Sequence, residues 1–242
     1  MKKLLESVGL DLRLVRRREA DSPYETVRPN ATFAPWIADH AFREVYERIR
    51  ANTLVDELRC YELWQLVTQA AKLNAGALLE VGVWRGGTGA LIATAARRSD
   101  VTNDVYLCDT FTGVVKASSL DPAYRGGEHG DTSRAVVESL ISGLGLSGVR
   151  ILTGIFPDDT GRLVQADRFR FAHIDVDVYE SARSVTEWLW PRLIQGGMIV
   201  YDDYGFATCP GVTQAVDEQR GKKGRLVFHN LNGHAVVVKI SS

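Results

Sequence analysis

The sequence predicts an α/β fold: a mainly parallel sheet with helices on both faces, finished at one edge by an antiparallel hairpin. Three observations carry this. Beyond Ala77, short apolar runs alternate with amphipathic stretches, the pattern of successive right-handed βαβ units. The first apolar run passes through a glycine-rich turn into a helical stretch, Leu78 to Thr88. Near its end the chain carries two strand-like runs joined by His229-Asn230-Leu231-Asn232-Gly233, and an Asn-Gly pair supplies the positive φ angles of a tight turn.

From Leu4 to Pro35 the pattern is irregular, with Arg16-Arg17-Arg18 beside Glu19, which reads as a solvated arm, a subunit contact or a flap. Helices are expected over Trp36–Arg50 and Asp56–Leu73, the second with Leu63, Leu66, Val67 and Ala70 on one face. Residues 1–50 are taken as an extension and 51–242 as the main domain. Parallel strands are expected at Ala77–Val83, Val105–Asp109, Val149–Thr153, Phe169–Asp175 and Met198–Asp202. Between and after them come helices near Gly87–Arg97, Asp131–Ser142, Gly161–Ala166, Tyr179–Leu189 and Val212–Arg220. The hairpin strands are Arg225–Phe228 and Ala235–Ile240. Five parallel strands closed by such a hairpin resemble the class I S-adenosylmethionine methyltransferases more than a nicotinamide dehydrogenase, whose sheet continues in parallel.

Composition narrows the partners. Twenty-nine basic against 30 acidic residues leave a net charge of -1, which removes the electrostatic case for nucleic acid or a membrane surface. Small-molecule chemistry is favoured. Cys60, Cys108 and Cys209 lack CxxC spacing, so a disulfide framework and a thiolate zinc site are not expected, and a reduced cytoplasmic setting fits. The N-terminal segment, broken by Glu6, Asp11 and Arg13, reads as neither signal peptide nor membrane span.

The first candidate site is Glu80-Val81-Gly82-Val83-Trp84-Arg85-Gly86-Gly87. Glycines let backbone approach a ligand, and the following helix N-terminus offers free N–H groups to a carboxylate. Gly82, Trp84, Arg85 and Gly86 are therefore cofactor-binding candidates. Asp109, ending the second strand, is placed to accept hydrogen bonds from the ribose hydroxyls of a nucleoside cofactor; its plain alternative is loop capping. The long polar stretch from Thr110 to Gly130 reads as a flap.

The second candidate site is a set of carboxylates at two strand ends, His173-Ile174-Asp175-Val176-Asp177 and Tyr201-Asp202-Asp203-Tyr204-Gly205. Neighbouring fourth and fifth strands would bring Asp175, Asp202 and Asp203 together, and their repulsion is relieved by a hard divalent cation, Mg²⁺ first. Asp177, on the same side of an extended segment as Asp175, is the candidate general base. His173 is the second choice, although a histidine in an apolar strand is more often a hydrogen-bonded core residue.

These blocks in order, with Gly196-Gly197 before the acidic pair and Cys209-Pro210 after it, resemble the macrocin O-methyltransferase family over roughly Asn52 to Arg220. That family methylates sugar hydroxyls of macrolides and related antibiotics. The resemblance implies S-adenosylmethionine as methyl donor and Mg²⁺ held by Asp175, Asp202 and Asp203, with Asp177 as base. It also implies that Thr53 and Glu80 touch the methionine end of the cofactor, that Asp109 holds the ribose and that Phe156 walls the adenine. A glycoside or sugar acceptor and a homodimer or larger assembly follow from it. Thr110-Phe111-Thr112-Gly113 departs from the family's Ser-Phe-Glu-Gly-type block, leaving the acceptor open. A catechol-type O-methyltransferase and a non-catalytic cofactor-binding module are the alternatives.

Overall fold

The computed structural model describes residues 22–25, 27 and 31–241. The arginine run at 16–18 lies outside the described residues. The chain divides into two compact units, 1–33 and 34–242. In the first, the Tyr24 N–H reaches Ser22 Oγ at 3.2 Å.

The second unit opens with α1 (Pro35–Ala38) and α2 (His40–Ile49). One helix was expected here, but Asp39 leaves helical geometry and caps a new start by accepting the Phe42 N–H at 3.0 Å. Phe42, Val45 and Ile49 of α2 are buried in the core. Asp56 caps α3 (Glu57–Ala70) in the same way, accepting from Leu58 and Arg59.

Then follow β1 (Ala77–Val81), α4 (Gly87–Arg98), β2 (Val105–Asp109), α5 (Arg134–Gly143), β3 (Val149–Thr153), β4 (Phe169–Ile174), α6 (Tyr179–Leu189), β5 (Leu193–Tyr201), α7 (Pro210–Arg220), β6 (Arg225–His229) and β7 (Ala235–Lys239). The expected helix at Gly161–Ala166 is one 3₁₀ turn, Gly161–Leu163, because Val164 turns extended. Helix α5 starts later than expected because Ser133 caps it and Asp131 is drawn to Trp84 and Arg85. Strand β5 starts five residues early. Leu193 pairs with Phe169 and Met198 with Phe171, so Ile194 to Gly197 are taken up as an irregularity.

The strands form a seven-stranded sheet in the order β3-β2-β1-β4-β5-β7-β6. Strand β1 pairs in parallel with both β2 and β4, so the order reverses there and a crevice opens at the C-terminal ends of these strands. Strand β7 runs antiparallel between β5 and β6. The hairpin turn is longer than an Asn-Gly pair gives. Asn230 Oδ1 accepts the N–H groups of Asn232 and His234, and the positive φ angles fall at Leu231 and Gly233. Each sheet face is apolar and covered: Leu78, Leu107 and Phe171 lie on one side, and Leu79, Phe169 and Tyr201 on the other. Full burial of such side chains contributes about 1.5–3 kcal/mol each.

Candidate active site

A cavity of about 300 Å³ opens at the strand-order reversal. Small-molecule sites have this size and place in such folds. Among the candidates from sequence, Thr53, Gly82, Trp84, Asp109, Phe156, Asp175, Asp177, Asp202 and Asp203 line it.

The cofactor turn and the acidic turn are locked together at one glycine. Gly82 holds φ +85°, and a Cβ there would stand 1.6 Å from the Asp175 carbonyl oxygen. Only glycine lets the end of β1 pass so close to the end of β4. Asp109 then organises the turn. Its Oδ2 accepts the N–H groups of Val83 at 2.6 Å and Trp84 at 2.8 Å, and its Oδ1 that of Phe111 at 2.6 Å. The loop-capping alternative is thus realised, and a carboxylate with about four acceptor positions keeps one for a further donor.

Three cofactor candidates stand apart from the cavity lining. Gly86 packs against α5, where a Cβ would meet Val137 Cγ1 at 2.9 Å. Arg85 turns outward, pairing with Asp131 at 2.6 Å and lying over the Trp84 ring. Glu80 is fully buried beneath α4; its Oε1 meets His173 Nδ1 at 2.9 Å, and the Thr88 hydroxyl in the first turn of α4 helps hold the carboxylate.

His173 is a core residue between two carboxylates. Its Nδ1 faces Glu80 and its Nε2 lies 3.5 Å from Asp202 Oδ1. Burial opposes its protonation, but Asp202 and Glu80 outweigh that and push its pKa up to about 9.

Past β4 the chain does not stay extended. Asp177 adopts φ +64°, so it reaches the cavity through a left-handed turn and not through strand alternation. Its N–H donates to Asp203 Oδ2 at 3.1 Å, and its Oδ1 accepts from the Tyr124 hydroxyl at 2.5 Å. Burial raises its pKa, with the Tyr124 hydrogen bond opposing.

Oxygen atoms of Asp175, Asp202 and Asp203 lie within 4.8 Å of one another. Burial, then the charges of their acidic neighbours, raises Asp175 and Asp203 well above the ordinary carboxylate range. Hard oxygen donors carrying this mutual repulsion fit a divalent cation such as Mg²⁺. Asp202 differs. Burial works against its ionisation, yet the imidazoles of His173 and His234 and the Arg59 guanidinium hold its pKa far below the ordinary value. Arg59 Nη1 pairs with Asp202 Oδ2, and His234 Nε2 meets Oδ1 at 2.9 Å.

Arg59, Tyr124 and His234 are neighbours of the acids that the sequence did not reveal. No spacing rule connects Arg59 to Asp202, 143 residues on. Tyr124 lies in the segment expected to be a flap. That segment is well fastened: Asp121, fully buried, accepts from the Ser118 N–H and hydroxyl and from the Tyr179 N–H at the start of α6. It gives the cavity Thr110, Gly113, Val114, Val115, Tyr124 and His129.

Known proteins resemble this chain in sequence and in fold. The family described as "Macrocin-O-methyltransferase (TylF)" matches residues 44–231. A Streptomyces olivaceus enzyme, 8-demethyl-8-(2,3-dimethoxy-alpha-L-rhamnosyl)-tetracenomycin-C 4'-O-methyltransferase, is 32% identical over 190 residues, covering 72% of this chain and 69% of its own. Mycinamicin III 3''-O-methyltransferase of Micromonospora griseorubida is 30% identical over 187 residues, covering 72% of each. The structure of the O-methyltransferase NovP superposes with a TM-score of 0.70 at 27% identity, over 78% of this chain and 83% of that one. The sheet, with its parallel strands and antiparallel end, is the class I methyltransferase sheet. On the extent of the family match and these identities, the chain belongs to the macrocin O-methyltransferase family of S-adenosylmethionine-dependent O-methyltransferases.

Proposed function

We propose that this enzyme methylates a sugar hydroxyl of a glycosylated natural product, using Mg²⁺ held by Asp175, Asp202 and Asp203. The observation that carries the reading is that these carboxylates and Asp177 line the same cavity as the cofactor candidates Gly82, Trp84 and Asp109. The names of the relatives, which specify a rhamnosyl tetracenomycin and mycinamicin III as methylated compounds, support the acceptor class.

Within this reading, Thr53 holds the methionine end of the cofactor, Asp109 the ribose and Phe156 the adenine, while Glu80, fully buried and outside the cavity lining, supports the turn from behind. Phe156 is held against Trp188, ring centroids 4.8 Å apart, so it offers a fixed wall. A bound Mg²⁺ supplies Lewis-acid stabilisation to the developing negative charge of the acceptor oxygen. Asp177 takes the hydroxyl proton as that oxygen forms its bond to the methyl carbon. The carbon–sulfur bond breaks with its electron pair going to sulfur, and S-adenosylhomocysteine leaves. Positioning the two reactants in line removes much of the entropic barrier.

The same reading places the enzyme in the cytoplasm, supported by three buried, unpaired cysteines, and as a homo-oligomer, which sedimentation velocity checks. The functional test is calorimetric titration with S-adenosylhomocysteine, then methyl-transfer assays on panels of glycosides and catechols with Mg²⁺ or EDTA. Binding with EDTA-sensitive transfer to a sugar is the expected result. Transfer to catechols alone overturns the acceptor class, and transfer insensitive to EDTA overturns the metal.

A further inference from the structure

We propose that His234, backed by Glu62, is a positioning residue that fixes the Asp202 carboxylate for cation binding, making the terminal hairpin a working part of the site. The inference rests on the reading of Asp202 as a cation ligand. Asp202 stands just past β5, where β7 runs alongside, and His234 immediately precedes β7.

The His234 ring has no exposure to solvent and bridges two acids. Its Nε2 lies 2.9 Å from Asp202 Oδ1 and its Nδ1 lies 2.7 Å from Glu62 Oε2. Glu62, on α3, keeps 24% of its side chain exposed, so the bridge runs from the rim of the molecule to the acidic cluster. The same Glu62 oxygen accepts from Asn230 Nδ2, and Asn230 shapes the hairpin loop by accepting the Asn232 and His234 N–H groups. One carboxylate on α3 thus pins both the loop and the imidazole.

Among the described residues, three nitrogen-bearing side chains face Asp202, and their roles separate. Arg59 is shared with Asp56, at 2.7 Å, and supplies charge to the far oxygen. The His173 nitrogen, at 3.5 Å, is too distant for a good hydrogen bond. His234 makes the short, directed contact to Oδ1. A ligating carboxylate whose orientation is set by such a partner binds metal without first losing rotational freedom, and losing partners of this kind typically costs 10–100-fold in metal affinity.

The test uses the full chain, with Mn²⁺ as the probe, titrated in the presence of S-adenosylhomocysteine and followed by the electron paramagnetic resonance signal of free Mn²⁺. Wild type, His234→Leu, His234→Gln and Glu62→Ala are compared, with thermal melting of each. His234→Leu is expected to weaken Mn²⁺ binding about 10–100-fold and Glu62→Ala up to about tenfold. His234→Gln, which keeps a side-chain donor, is expected to recover most of the loss. S-adenosylhomocysteine affinity should stay within about twofold throughout, because no contact of His234 belongs to the cofactor turn. Wild-type Mn²⁺ affinity in a folded His234→Leu overturns the positioning role. If that variant does not fold, unchanged affinity in Glu62→Ala overturns it. Absence of Mn²⁺ binding by wild type brings down the cation reading itself, a separate result.

Discussion

The Tyr124 hydroxyl donates to Asp177 Oδ1 at 2.5 Å, tying the segment between β2 and α5 to the acid proposed as general base. Half of the Asp177 carboxylate is thereby fixed, and in the proposed reaction the other oxygen receives the acceptor proton.

Tyr124→Phe keeps the ring and removes this tether. Turnover is expected to fall about tenfold with S-adenosylhomocysteine affinity unchanged, while Asp177→Asn, which removes the base, loses about 10²–10⁴-fold. Steady-state kinetics with calorimetry on the same preparations read both. Unaltered turnover in Asp177→Asn would withdraw the base assignment.

Gly82→Ala should fail at the level of folding. The new methyl group meets the Asp175 carbonyl at 1.6 Å in a backbone at φ +85°, and nothing flexible is there to move. A loss on the order of 4 kcal/mol or more is expected, visible as a collapsed melting transition or insoluble protein. A near-native melting curve would mean that the two turns are not rigidly joined.

Arg59→Met leaves the buried Asp202 without its guanidinium partner and should cost about 3–5 kcal/mol in chemical denaturation. The pH sign follows from the lowered pKa of Asp202. Its contribution is complete above the unfolded carboxylate pKa of about 4 and declines as pH falls through the lower folded value. The acid-side stability loss of wild type should therefore be blunted in Arg59→Met, since the surviving ion pairing is weaker.

Asp203→Asn is expected to separate stability from activity. It removes one of the mutually repelling charges while an amide oxygen can still accept the Asp177 N–H. In EDTA its melting midpoint should rise by about 2–4 °C, as a gain near 1 kcal/mol gives in a domain of this size, while methyl transfer drops at least ~100-fold. Scanning calorimetry and a transfer assay decide it. A lower midpoint would show that the hydrogen bond outweighs the repulsion.

Strands β2 and β3 were legible to the residue because Val105–Asp109 and Val149–Thr153 end where the apolar run ends. Strand β1 was overextended to Val83 because apolar character continues into the turn, and only the Gly82 conformation stops it. The acids were legible because paired carboxylates close two strands. What surrounds them was not: Arg59, Tyr124 and His234 reach Asp202 and Asp177 from segments far along the chain, and only the sheet order brings them near. Asp177 was expected on the correct side for a reason the structure does not bear out, since a left-handed turn and not strand alternation aims it.

Asp121 has a consequence for redesign. One buried carboxylate fastens the 110–130 segment to the start of α6, close against α7, where a Cβ at Gly211 would meet Asp121 Oδ1 at 2.1 Å. The segment is therefore clipped on two residues past Asp177, beside the acidic turn, much as an exchangeable tool head seats on a shank. Loops of different length or character that retain Ser118, Asp121 and Tyr124 are the ones to transplant there, giving a library in which cavity shape varies while the strand-end carboxylates stay where the sheet puts them and Asp177 keeps its tether.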